Sequence, residues 1–242
     1  MEMARLCAAG GDDVVLVARN EGKLHELANE LTATHNVDAK VIAADLTDPD
    51  APAAIFKHAP QIDVLFNNAG FGSTGAFLEL DLQKELEMVA VNVRALVALT
   101  HLFAKPMKER GFGRICNVAS TAGFQPGPFM ATYYATKAFV ISFSEAVAHE
   151  LKGTGVTVTC HCPSATATGF SGRAGNENTP LFRSGVAKAD AVAAHAYRAT
   201  MRGDGLAIPG AMNWIKMESI RLAPRLPSLM ASFTSAAVSP SP

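Results

Sequence analysis

Short apolar runs rich in β-branched residues alternate along this chain with longer stretches of helical periodicity, and that alternation restricts it to a parallel sheet wrapped by helices. A run such as Val14-Val15-Leu16-Val17 has no polar partner face, so both sides of its strand must be covered. Strands are expected at residues 13–18, 39–44, 62–66, 114–119, 156–160 and 206–208. Helices are expected between them: one carries Leu24, Leu27, Ala28 and Leu31 behind Asn20 as N-cap, and others cover 51–58, 82–108, 131–152 and 187–202. The fold class is a three-layer, Rossmann-like, doubly wound α/β sheet.

A chain of 242 residues fits one such domain spanning 1–242. Within it, 164–185 lacks periodicity and reads as a substrate loop, 211–233 as a C-terminal appendage broken by Pro224 and Pro227, and 234–242 as a flexible tail. Apolar residues make up 49% and charged residues 18%, which excludes a disordered chain. Lys plus Arg number 21 against 22 Asp plus Glu, and they are scattered, so nucleic acid is not the expected partner. No uncharged run approaches the roughly 18 residues that would span a bilayer. Glu2 stands where a secretory leader wants a base, and a cytoplasmic location is expected. Cys160 and Cys162 flank His161 on a strand; the alternation favours buried thiols over a metal site, and no metal is expected.

Tyr133 and Lys137, at i and i+4, project from one helix face one turn apart. A phenol titrates near about 10, and a neighbouring ammonium favours its phenolate, so the pair is expected to work as a general acid/base with the phenol pulled down. Val140, Phe143, Val147 and Leu151 fall on the same side, which turns that face toward the sheet. Alone, Tyr-x-x-x-Lys is a weak signal. Its company is stronger: Ser120 lies at the carboxyl end of a strand, where open α/β sheets bind ligands, Asn67-Asn68-Ala69-Gly70 ends an earlier strand, and Asn92 sits inside the long helix.

With these four elements in order and in register, the chain resembles the short-chain dehydrogenase/reductase family from about Met3 to Gly210. The resemblance implies an oxidoreductase that interconverts a ketone and a secondary alcohol. Tyr133 would be its general acid/base, Ser120 would hold the substrate oxygen, and Lys137 would lower the Tyr133 pKa and bond the nicotinamide ribose. Asn92 would hold a water behind Lys137. It also implies cofactor contacts from Asn68, Ala69 and Gly70, from Asp45 and Leu46 beside the adenine, and from Thr166 and Thr168 beside the carboxamide, with a homodimer or homotetramer as the assembly. The Gly-x-Gly-x-x-Gly of Gly70, Gly72 and Gly75 is not the dinucleotide fingerprint, because it follows a later strand than the one that fingerprint belongs to. Arg19, directly after the strand at 13–18, has no acid beside it, and a base there pairs with a 2′-phosphate, so NADP(H) is expected in preference to NAD(H). Ser164 replaces the glycine usual after Pro163. Phe124, Pro126, Pro128, Phe129 and Phe170 point to an apolar carbonyl substrate.

The front departs from the family. Residues 1–9 read as the last turns of a helix leading into Gly10-Gly11, so the first strand and its glycine-rich phosphate loop are expected to be missing, and the strands beside that position to lack ladder partners. Two readings follow: a fragment or mis-set start of a working enzyme, or a truncated, inactive interaction subunit. A nucleophilic hydrolase would need an exposed serine, and the chain has no Gly-x-Ser-x-Gly elbow.

Overall fold

Buried leucines and a capping asparagine organise the first layer. In the computed structural model, which describes residues 1–167 and 186–222, helix α1 (Glu2–Ala9) leads through Gly10-Gly11 into β1 (Val14–Ala18). Asn20 then caps α2 (Glu21–His35), its side chain accepting the Lys23 N–H at 3.0 Å, and Asn36 ends it with φ +54°. Leu24, Leu27, Ala28 and Leu31 bury against Val14 and Leu16, as their spacing predicts. Strand β2 (Ala39–Ala43) pairs in parallel with β1, Val14 opposite Ala39.

After α3 (Ala51–His58), a four-stranded parallel ladder runs β3 (Val64–Asn67), β4 (Gly113–Val118), β5 (Val156–His161) and β6 (Leu206–Ala207). Among the described residues β1 pairs only with β2 and β3 begins a separate ladder, the loss of pairing expected from the sequence. The strands are short and apolar, and helices cover them. The segment 82–109 is α4 (Leu82–Val89), capped by Asp81, a π-helical turn (Ala90–Ala95) and α5 (Leu96–Glu109). By length and mean hydropathy, 1.5, this continuous helix could cross a membrane, yet Leu96, Leu99, Phe103 and Met107 pack inward on the core of the domain. Helix α6 (Ala131–Glu150) lies across β5, and α7 (Ala189–Arg202) covers β4 and β5 beside α1. The last described helix, α8 (Ala211–Leu222), buries Met217 with Val140, Ile141 and Ile208, so the first half of the expected appendage is tied to the core. Residues 168–185 and 223–242, with Thr168, Phe170 and the expected tail, lie outside the described residues.

Candidate active site

The carboxyl end of β4 and the first turns of α6 assemble the central group. Tyr133 is 9% exposed and Lys137 is 5% exposed, with Nζ 5.8 Å from the centre of the Tyr133 ring. Lys137 Nζ donates to the carbonyl oxygen of Val118, the last residue of β4, at 2.8 Å. Two residues on, Ser120 hydrogen-bonds the Tyr133 phenol. Its Oγ also accepts the Ala122 N–H at 3.1 Å and stands 3.4 Å from the Pro163 carbonyl. Ser120, Tyr133 and Lys137 therefore meet, although 13 to 17 residues of chain separate the strand end from the helix.

Their electrostatics reverse one expectation. Burial pushes the Tyr133 phenol up to about 12, only partly opposed by the Ser120 hydrogen bond. The same dehydration pushes Lys137 down to about 8, opposed by the neighbouring Cys162 and Cys160 thiols. A dry pocket disfavours phenolate and ammonium alike, and here that cost exceeds the field one supplies to the other.

Asn92 sits in the π-helical turn, a geometry that recurs at functional positions. Both ends of its amide are bonded: Oδ1 accepts the Phe71 N–H at 3.1 Å, while Nδ2 donates to the Phe71 carbonyl at 3.0 Å and to Thr136 Oγ1 at 3.1 Å. Both N–H donors of the amide are thus used to tie the loop after Gly70 to α6. Thr136 passes the link on, donating to the Tyr133 carbonyl at 2.7 Å. Gly70 lies hard against this group, since a Cβ there would stand 3.0 Å from Asn92 Oδ1 and 3.5 Å from Lys137 Nζ. The Asn68 N–H turns back onto the Phe66 carbonyl at 3.0 Å, and Ala69 lies between Asn68 and this glycine.

A second group forms where β1 and β2 end. Arg19 and Asp45 line a cleft of about 310 Å³ with Ala43 and Ala44, and Arg19 Nη1 stands 3.7 Å from Asp45 Oδ2. The Thr47 backbone N–H and hydroxyl, and then Arg19, hold the Asp45 carboxyl below the usual range. Leu46, next in the chain, packs against the cluster of Ile115 and Phe103. A larger groove, about 620 Å³, is lined by Pro52, Val93, Val97 and Leu102 among others, and shares no residue with either group. Thr166 donates to the Ser164 carbonyl at 2.8 Å and bridges Ala187 in parallel, joining the two described segments on either side of 168–185.

Sequence reading missed a buried amide chain beneath the site. Asn67 Nδ2 donates to Asn117 Oδ1 at 2.9 Å and to Thr100 Oγ1 at 3.0 Å, and Asn117 Nδ2 donates to Ser144 Oγ at 3.0 Å. The register that sets Asn67 opposite Asn117 is its signal, and pairing had to be known to find it.

Residues 1–179 match the family model of the short chain dehydrogenases. A 7beta-hydroxysteroid dehydrogenase of Collinsella aerofaciens is 36% identical over 153 residues, 62% of this chain and 58% of that protein. A ketoacyl reductase of Nostoc sp. is 35% identical over 165 residues, 66% of this chain and 57% of that protein. The match thus spans less than two thirds of the length of either relative. Among solved structures, a short-chain dehydrogenase from Sphingobium yanoikuyae in complex with NADPH superposes with a TM-score of 0.83 and 32% identity, over 91% of this chain and 88% of its own. A bulky-bulky ketone specific alcohol dehydrogenase from Comamonas testosteroni superposes at 0.79 with 30% identity, over 91% and 86%.

Proposed function

The chain belongs to the short-chain dehydrogenase family, and we propose that it is an NADP(H)-dependent oxidoreductase that interconverts an apolar ketone and a secondary alcohol. The observation that carries this reading is the buried meeting of Ser120, Tyr133 and Lys137 at the carboxyl edge of the sheet. NADP(H) supplies or accepts the hydride. Residues at both ends fit it: Arg19 faces a cleft able to take a 2′-phosphate next to Asp45 and Leu46, the backbone of Asn68, Ala69 and bare Gly70 would line the adenosine half, and Lys137 would bond the nicotinamide ribose. Thr166 and Thr168 belong beside the carboxamide in the same reading.

In the reducing direction Tyr133, protonated at neutral pH with its pKa at about 12, donates its proton to the carbonyl oxygen as negative charge develops there. Ser120 holds the same oxygen with a fixed hydroxyl. Lys137 keeps positive charge beside the phenol, and Asn92 fixes the loop that carries Gly70. Phe129 packs on the cluster that holds Tyr133 and Phe124 on the neighbouring cluster of Ala119 and Val140, apolar surface consistent with the hydroxysteroid and bulky-ketone enzymes among the proteins similar to this chain. The test is absorbance at the reduced-nicotinamide band across a panel of bulky ketones with NADPH and NADH. Tyr133→Phe should abolish turnover while NADPH binding persists, and retained turnover would remove Tyr133 as the acid.

The same reading makes the chain a homodimer or homotetramer. Leu82, Leu86 and Val89 are exposed at i, i+4 and i+7, and the stripe continues into the groove at Val93 and Val97. Light scattering should give a dimer or tetramer that Leu86→Glu dissociates. A second reading, an inactive interaction subunit, is favoured by the two unjoined ladders, and it predicts assembly without NADPH binding.

A further inference from the structure

We propose that Glu85 is a positioning residue for the carbonyl site, acting through Ser73 to clamp segment 71–75 and so hold Phe71 and Phe129 against Tyr133. The proposal rests on the oxidoreductase reading above. Ser73 is 3% exposed and Glu85 is 5% exposed, and the Ser73 hydroxyl donates to Glu85 Oε1. A carboxylate removed from water is costly, and one that bonds a loop serine at the edge of a catalytic cluster needs a reason to be there.

The reason lies in what the clamp holds. Residues 71–74 belong to no helix or strand, so no ladder fixes them. Three tethers do. At one end Asn92 binds both backbone groups of Phe71. In the middle stands Ser73 on Glu85. At the far end the Gly75 N–H donates to the Phe129 carbonyl at 2.9 Å. Phe129 has φ +66°, a left-handed conformation that an L side chain resists and that persists only where its surroundings impose it. Phe71 and Phe129 both pack on the cluster of Met88, Met130, Tyr133 and Tyr134. Glu85 lies one turn before Met88 on α4, so the clamp and the cluster share a helix face.

Because Asn92 secures Phe71 independently, loss of the clamp frees the half of the segment that reaches Phe129 and leaves Asn68 to Gly70 in place. The effect therefore falls on the carbonyl substrate and spares the cofactor. A residue that merely stabilised the fold would change both, or neither.

The experiment compares Glu85→Ala, Ser73→Ala, the double variant and Glu85→Gln in the full chain. It reads KM and kcat for acetophenone, the NADPH Kd by fluorescence, and amide hydrogen exchange at 71–75 and 129. Each alanine variant is expected to raise the ketone KM about tenfold, the scale of one lost buried hydrogen bond, with NADPH Kd changed less than about twofold. Exchange at Gly75 and Phe129 should rise, and the double variant should be no worse than either single one. Glu85→Gln keeps an acceptor for the Ser73 hydroxyl and should restore KM. An unchanged KM with unchanged exchange, an equal loss of NADPH binding, or a glutamine variant that behaves like alanine would overturn the proposal. If the unsubstituted chain reduces no ketone, the oxidoreductase reading fails, and exchange at Phe129 in Ser73→Ala still decides the clamp.

Discussion

Lys137 Nζ lies 2.8 Å from the Val118 carbonyl oxygen, so the ammonium at the candidate site is moored to the last residue of β4. Its burial drops the pKa from 10.5 to about 8, and the same burial lifts Tyr133 from 10.0 to about 12. These shifts act on stability with opposite signs. Between about pH 8 and 10.5 the unfolded chain holds the lysine proton that the folded chain has released, so stability rises with pH. Between 10.0 and about 12 the folded chain holds the tyrosine proton that the unfolded chain has lost, so stability falls. The lysine contribution, read by urea denaturation as the stability difference between the unsubstituted chain and Lys137→Met, should grow by on the order of 2 kcal/mol from pH 7.5 to 10. It acts against the opposite contribution of the Cys7 and Cys116 thiols, which burial pushes up to about 11 and about 12.

His161 predicts the behaviour on the acid side. Its Nε2 stands 3.3 Å from His195 Nδ1 between β5 and α7, and burial, reinforced by His195, pushes it down from 6.5 to about 3. The unfolded chain takes up a proton below 6.5 that the folded chain refuses, so stability is lost as pH falls from 6.5 toward 3. The loss should approach about 1.4 kcal/mol per pH unit below pH 6. Denaturation midpoints at pH 7, 6 and 5 check this, and His161→Asn should shallow the slope.

Gly123→Ala tests how closely the turn after Ser120 packs on α6. The added Cβ would come within 2.7 Å of the Lys137 carbonyl group and of Ile141 Cδ1. Backbone cannot swing aside, so the turn or the helix must shift, and a loss of about 1–3 kcal/mol of stability is expected together with impaired turnover. Thermal melting read beside kcat measures both.

Arg19→Ala tests the cofactor preference. The guanidinium opens on the cleft with Asp45 and is 60% exposed, so little folding energy depends on it. Loss of a charge-assisted contact to a 2′-phosphate should weaken NADPH binding about tenfold to a hundredfold while NADH binding holds. Parallel titrations with the two cofactors give the ratio, and equal weakening would remove Arg19 from that role.

The amino-acid order alone determined the layers and the helix face of the site. Periods of 2 and 3.6 are local properties, so the helices of Leu24 to Leu31 and of Tyr133 to Lys137 were legible, as was the place of Ser120 at a strand end. Tertiary structure decided what those side chains do to one another. The sign of the Tyr133 shift reversed because dehydration depends on everything packed around the ring, which spacing within one helix does not encode. The amide of Asn92 was claimed by Phe71, Ser73 found Glu85, Asn67 found Asn117 and His161 found His195, each across a chain separation of 12 to 50 residues. Such pairs exist only once strand register and helix packing are set, and neither is written in the period of any single segment.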